Sequence, residues 1–302
     1  MKQNTDFDVI IIGGSYSGLA AAMALGRALR TVLIIDDGKP CNRQTPYSHN
    51  FLTQDGAPPM KIAELAIAQL KTYSTVQFVK GWAEQGVKTD RGFEVSATGN
   101  ITFAAKTIIF ATGIKVHFPA INGLSECWGI SDLHCPYCHG YEVRNQKTGI
   151  LVTEEFNFDF CKLISNWTKD LTVLTNGSPQ LTVENIEILN SRGISIIEKP
   201  IQMFRHKNGH IESVVFEDGT EYLMQALYAP VPFEQHCPIP ELMGCELADG
   251  GFIKVDSFQQ TTVEGIFACG DNISRMRTVA NAVGMGTTAG MAASKKLILE
   301  EF

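Results

Sequence analysis

The sequence predicts an α/β protein made of two Rossmann-like three-layer units, and three stretches carry that expectation. Residues 6–38, DFDVIIIGGSYSGLAAAMALGRALRTVLIIDDG, run as a short apolar strand, a Gly-rich turn, a small-residue helix and a second strand ending in acid. Mid-chain, TGILV reads as a strand, FNFDFCKLISNW as a helix and DLTVLTN as the next strand, followed by NIEILNSRG, SIIEKP and a hairpin turning at Lys207 to Gly209. Towards the C terminus, the strand GIFACGD stands just before the small-residue helix NAVGMGTTAGMAASKKL.

In the first stretch, Gly13, Gly14 and Gly18 sit where the turn must be tight and the helix must lie close to the strand, which leaves N-terminal N–H groups open to a pyrophosphate. Asp36 ends the following strand, where a carboxylate can accept ribose hydroxyls. Ser15 stands where the fingerprint has its second glycine, and taken alone such a motif also suits a strand-turn-helix without a ligand. The stretch VQFVKGWAEQGVKTDRGFEVSATGNITFAAKTIIF alternates in short runs and reads as an antiparallel meander leading to the ATG at Ala111 to Gly113.

With 302 residues the chain is long enough for two domains, each with its own core. Its 25 Lys and Arg against 32 Asp and Glu give a formal charge of -7, which excludes the basic footprint of nucleic-acid or anionic-membrane binding and leaves small molecules or proteins as partners. Apolar runs such as VIII and TIIFA fall far short of the ~20 residues that span a bilayer. The opening MKQNTDFDVI has no basic start, apolar core and cleavage site, so a cytoplasmic location is expected, where the eight cysteines rest reduced.

Against that background Cys135, Pro136, Tyr137, Cys138 and His139 stand out. The string also matches haem attachment, which needs export, and half of a zinc site, for which Cys237 and Cys245 in a Pro-rich stretch are poorly spaced partners. The redox reading is the stronger one. A dithiol site needs a reachable thiolate, a resolving thiol and a base, and an imidazole with an unperturbed pKa near 6.5 suits His139 to the last role. His134 is read as a solvated loop residue, and Cys127, Cys161 and Cys269 as packing residues. Cys41 is a candidate third redox thiol by its loop position.

A Gly-rich N-terminal turn, an ATG, a mid-chain CxxC and a C-terminal GD before a helix, in this order, resemble the pyridine-nucleotide disulfide oxidoreductases over essentially the whole chain. The chain is most similar to their low-molecular-weight thioredoxin reductase group, in the branch with a CPxCHG-type motif that includes dithiol oxidases. The resemblance implies FAD, with Gly13, Gly14, Ser15 and Gly18 at the pyrophosphate and Asp36 at the adenosine ribose. It also implies Thr112 and Gly113 of the ATG in the site, Gly270 and Asp271 on the ribitol side, and Thr278, Val279 and Ala280 at the pyrimidine edge. Arg43, within PCNR, and Asn50, within YSHNFL, match the group's flavin-contacting loop. Cys138 would face the flavin and Cys135 would exchange with substrate, with His139 where NADPH-dependent members usually carry Asp. The implied layout is a discontinuous FAD-binding domain, 1–117 and 245–302, with the second unit inserted at 118–244, in a homodimer.

The group's second nucleotide site is where the chain departs. Val152, Thr153, Glu154, Glu155, Phe156 and Asn157 span the turn without a glycine, and two carboxylates stand where a pyrophosphate would lie. At an effective dielectric near 20, like charges ~4 Å apart repel by roughly 4 kcal/mol, which outweighs a helix-dipole gain of about 0.3–1 kcal/mol. Thr175, Asn176 and Gly177 replace the basic residues that would meet a 2′-phosphate. The expectation is an FAD-dependent thiol-disulfide oxidoreductase in which NADP binding is doubtful, its substrate a dithiol or thioredoxin-like protein, its other partner oxygen or an electron-transfer protein. An NADPH-dependent thioredoxin reductase and a flavin-bearing sensor or scaffold are the alternatives, and the direction of electron flow stays open.

Overall fold

The computed structural model describes residues 5–154, 156–177 and 181–302. The chain divides into two compact units, one of Met1–Arg43, Phe51–Lys115 and Glu234–Phe302, the other of Gln44–Asn50 and Val116–Phe233.

The first unit begins with β1 (Asp6–Ile12), α1 (Tyr16–Arg27), β2 (Val32–Asp36), α2 (Pro59–Leu70) and β3 (Val76–Lys80). The run continues through β4 (Ala83–Thr89), β5 (Gly92–Ala97) and β6 (Ile101–Phe110), giving a sheet ordered β3-β2-β1-β6-β5-β4. β1 is buried on both faces, as a central parallel strand must be: Ile10 and Ile12 join Phe103 and Phe110 on one side, while Val9 and Ile11 meet Leu19, Ala22 and Leu25 of α1 on the other. The expected meander is only partly observed. β4, β5 and β6 are antiparallel, whereas β3 pairs in parallel with β2 from Val32↔Val76 to Asp36↔Lys80. Gly81 makes the break, its N–H bonded to the Asp36 carbonyl at 2.9 Å and its φ at 154°.

β7 (Ile114–Val116) leads into the second unit, which contains α3 (Leu124–Cys127), β8 (Asp132–Leu133), α4 (Pro136–His139), β9 (Thr148–Leu151), α5 (Phe158–Ile164) and β10 (Leu171–Leu174). There follow α6 (Val183–Ser191), β11 (Ser195–Ile197), β12 (Ile201–Lys207), β13 (His210–Phe216), β14 (Glu221–Leu223) and β15 (Ala226–Tyr228). The parallel sheet β11-β10-β9-β15-β8 is accompanied by the antiparallel β12-β13-β14, whose first hairpin turns through Asn208 and Gly209 at positive φ. β9 and β10 are buried along their whole length.

The chain returns through β16 (Phe233–Gln235), which pairs with β7, and then α7 (Ile239–Leu242), β17 (Ile266–Ala268) and α8 (Val279–Glu301). The return therefore falls at Glu234 and not at 245, because Cys237, Ile239 and Cys245 pack in one core with Phe93, Val95 and Ile253 of the first unit. β17 extends the first sheet in parallel beside β6. α8 lies close against α1 because its small residues permit it: a Cβ on Gly286 would stand 2.0 Å from the Ser17 carbonyl oxygen, and one on Gly290 2.4 Å from that of Ala21. Among the described residues no helix is long and apolar enough to cross a membrane.

Candidate active site

In the first unit the strand-turn-helix at Gly13 is shaped by contacts that exclude side chains. Gly13 has a φ of 104°, and a Cβ there would lie 2.3 Å from the Ala111 carbonyl oxygen, so the first turn and the ATG segment come together. A Cβ on Gly18 would lie 1.9 Å from the Gly13 carbonyl oxygen, and one on Gly14 2.8 Å from Asp36 Cβ. Gly14 N–H donates to Asp36 Oδ1 at 2.8 Å and Gly38 N–H to Oδ2 at 2.9 Å, which fixes the carboxylate at the end of β2. Ser15 caps α1 in extended conformation without a side-chain hydrogen bond, so the first N–H groups of the helix keep their capacity for an anion.

Beside this turn, Gly113 has a φ of 64° with open space where a Cβ would be, and Gly270 approaches Ser17 so closely that a Cβ would stand 2.6 Å from its Oγ. Asn272 donates to the Phe110 carbonyl at 2.9 Å and to Thr112 Oγ1 at 3.3 Å, while its own Oδ1 is buried without a partner. Thr278 caps α8, its Oγ1 accepting from Asn281 N–H at 3.1 Å, and Val279 and Ala280 form the first turn. Burial pushes the Asp271 carboxyl up, against the pull of Arg277. Close backbone approach, an uncapped helix N terminus, an orphaned buried amide oxygen and two fixed carboxylates fit an adenine dinucleotide.

Two further expected contacts come from the loop that follows β2. Arg43 turns its Nη1 back to the Pro40 carbonyl at 3.2 Å, and Asn50, at a φ of 59°, belongs to the segment 44–50 that groups with the second unit. Cys41 is exposed, yet its sulfur lies 3.8 Å from Asp271 Oδ2, and crowding together with that carboxylate pushes the thiol up to about 12. A raised thiol pKa disfavours the thiolate and so weighs against a redox role for Cys41.

In the second unit Cys135 and Cys138 form a disulfide with a Cα–Cα distance of 5.3 Å. Cys135, in extended conformation, caps the single turn α4, and Pro136 at its first position presets the helical φ. The N–H groups of Cys138 and His139 both return to the Cys135 carbonyl at 3.2 Å, bringing positions 135 and 138 to one side. Gly140 is needed because a Cβ would stand 2.9 Å from the Trp167 indole, which also meets Tyr137 edge-on at 5.5 Å. His134 is not solvated as expected: it is half-buried and stacks on Trp128 at 5.5 Å.

His139 also differs from the expectation of an ordinary base. Burial, and then the neighbouring His49, bring its pKa down to about 4, so the ring is neutral at physiological pH. The rings of His49 and His139 stand edge to face with centroids 6.2 Å apart, and His49 Nε2 lies 3.6 Å from Glu142 Oε1. Spacing along the chain cannot reveal this pair, since positions 49 and 139 meet only through tertiary structure. Asp132, just upstream in β8, is another residue the sequence did not single out. It is fully buried with no side-chain partner for either oxygen, and burial raises its carboxyl well above the usual range despite the backbone of Ala229.

The turn between β9 and α5 has its own internal bonds. Thr153 Oγ1 donates to the Pro230 carbonyl, Phe156 N–H returns to the Thr153 carbonyl at 3.0 Å, and Asn157 Oδ1 accepts from Asp159 N–H at 2.9 Å. Glu154 is exposed, and Glu155 lies outside the described residues. At the end of β10, Thr175 is buried and Asn176 Oδ1 accepts from Ile201 N–H at 2.7 Å. Among the described residues no group of three or more His, Cys, Asp or Glu could hold a metal ion.

Comparison with known proteins matches residues 7–153 and 169–286 to a family model described as pyridine nucleotide-disulphide oxidoreductase. The chain is 31% identical to "Thioredoxin reductase tcpT" of Claviceps purpurea over 99% of its length and 97% of that protein. It is 30% identical to "Thioredoxin reductase sirT" of Leptosphaeria maculans, over 94% of this chain and 92% of that one. Among solved structures, an oxidoreductase from Agrobacterium tumefaciens superposes with a TM-score of 0.91 at 35% identity, covering 97% of this chain and 99% of that chain.

Proposed function

The chain belongs to the pyridine nucleotide-disulphide oxidoreductase family, and from that premise we propose that it is an FAD-dependent thiol-disulfide oxidoreductase working through Cys135 and Cys138 without NADPH. The observation that carries the chemistry is the Cys135–Cys138 disulfide at the cap of a one-turn helix. In this reading Gly13, Gly14, Ser15 and Gly18 hold the pyrophosphate, Asp36 the ribose, and Thr112, Gly113, Gly270, Asp271, Thr278, Val279 and Ala280 the rest of the dinucleotide, with Arg43 and Asn50 as further contacts. Bound FAD would supply a two-electron acceptor that restores the disulfide, with oxygen or an electron-transfer protein as the other partner.

The protein's own residues carry the thiol exchange. A substrate thiolate attacks the sulfur of Cys135 and Cys138 leaves as thiolate; the second substrate thiolate then attacks the substrate sulfur of the mixed disulfide and expels Cys135 as thiolate, so that one disulfide is broken and one is formed. His139, neutral at physiological pH, has no acidic proton to give a leaving thiolate, which supports the direction of dithiol oxidation, and its low pKa means that it holds a thiol proton only in passing. Against NADPH, the N terminus of α5 is already capped by Asn157, and the Asn176 side chain is spent on Ile201. We further propose a cytoplasmic homodimer, for which sedimentation at twice the chain mass is the check.

An NADPH-dependent thioredoxin reductase is the second reading, favoured by the names of the Claviceps and Leptosphaeria relatives. Oxygen uptake separates the two: dithiothreitol or a reduced thioredoxin should drive it in the purified yellow protein. Disulfide reduction that requires NADPH would establish the second reading instead.

A further inference from the structure

We infer that His49, held by Glu142, receives the proton that His139 takes from the Cys135–Cys138 dithiol, so that the two imidazoles and the carboxylate form the path by which these thiols lose protons. The inference rests on the thiol chemistry proposed above. In that chemistry a dithiol gives up two protons and two electrons while oxygen takes up two of each as hydrogen peroxide, so a base must carry protons away from the half-buried sulfurs.

The geometry comes from two segments distant in sequence. His139 ends the turn that holds the disulfide, and its ring meets the edge of His49 with centroids 6.2 Å apart, a gap that one water can bridge. From there the path opens outward. The His49 side chain is 20% exposed and that of Glu142 40%, with 3.6 Å between His49 Nε2 and Glu142 Oε1, an ion-pair distance longer than a direct hydrogen bond.

Charge sets the direction. Two imidazoles this close do not both hold a proton readily, burial disfavours the proton on His139, and the Glu142 carboxylate stands 3.6 Å from His49 on the outward side. The Tyr228 phenol, near Glu142, is pushed up by burial; Arg144 is engaged over the Tyr141 ring at 3.9 Å and with the Tyr141 carbonyl; His134 is stacked on Trp128; burial pushes the Asp132 carboxyl well up. The sulfurs therefore reach the thiolate at lower pH with His49 and Glu142 present than without them.

The test uses the holoenzyme, reduced and freed of reductant under anaerobic conditions, with iodoacetamide alkylation of Cys135 and Cys138 followed by mass spectrometry from pH 5 to 9. His49→Asn should move the thiolate profile up by about one pH unit, slowing alkylation at pH 7 roughly tenfold. Glu142→Gln should move it in the same direction by less, and added imidazole should partly restore the rate in His49→Ala. Wild-type profiles in both His49→Asn and Glu142→Gln, with the flavin spectrum and circular dichroism intact, would overturn the inference. Alkylation needs no electron transfer, so a wild-type flavin that no dithiol reduces would count against the proposed function while leaving this test decisive.

Discussion

Asn157 accepts a hydrogen bond from the backbone N–H of Asp159 at 2.9 Å, which satisfies one of the free N–H groups at the start of α5. The cap serves the fold and leaves less for a phosphate. Replacing it, Asn157→Ala, should cost about 1 kcal/mol of stability in urea unfolding and should not create NADPH binding. An unchanged midpoint would mean that the cap holds nothing.

Gly18 and Gly284 make a matched pair for testing the flavin cradle. A Cβ on Gly18 would lie 1.9 Å from the Gly13 carbonyl oxygen, whereas one on Gly284, inside α8, meets nothing within 4 Å. Gly18→Ala should yield protein with at least about tenfold less bound flavin, read from the ratio of visible to ultraviolet absorbance. Gly284→Ala should keep its flavin and gain roughly 0.4–1 kcal/mol. Equal flavin content in the two variants would count against the cradle.

The two cysteines should differ in what they trap. With Cys138→Ser, the remaining Cys135 thiol should form a lasting mixed disulfide with an aromatic disulfide reagent or a thioredoxin, because no resolving thiol is left. Cys135→Ser should trap substantially less. Intact-mass spectrometry gives the yield, and the reverse order would exchange the roles assigned to them.

Asp132 should make stability depend on pH. Its folded carboxyl sits well above the ordinary 3.8, so folding holds a proton that the unfolded chain releases. The resulting cost is absent below about pH 3.8, grows as pH rises through and above that value, and levels off beyond the folded pKa. Asp132→Asn removes the ionisation, so relative to wild type it should gain about 1–3 kcal/mol near pH 7 and lose that advantage near pH 4. A difference in thermal midpoint that does not change with pH would contradict the assignment.

Local signals carried much of this molecule. The turn at Gly13 was legible because only glycine tolerates its carbonyl contacts, and the CxxC turn because Pro136 and the spacing specify one helical turn. What escaped depends on neighbours supplied by tertiary structure. β3 has the composition of a meander strand but pairs with β2, and Cys237 and Ile239 fall within the span expected for the inserted unit yet fill the first core. The His139 ring follows its burial rather than its unperturbed value, and the partner that also lowers it, His49, arrives from the segment 44–50.

The central claim is that dithiols, and not NADPH, exchange electrons with this protein through Cys135 and Cys138. Anaerobic absorbance near 450 nm tests it most directly. The account expects dithiothreitol to bleach the flavin, air to restore it, and NADPH to leave it unchanged over the same period. Rapid bleaching by NADPH, with no response to dithiothreitol, would contradict it.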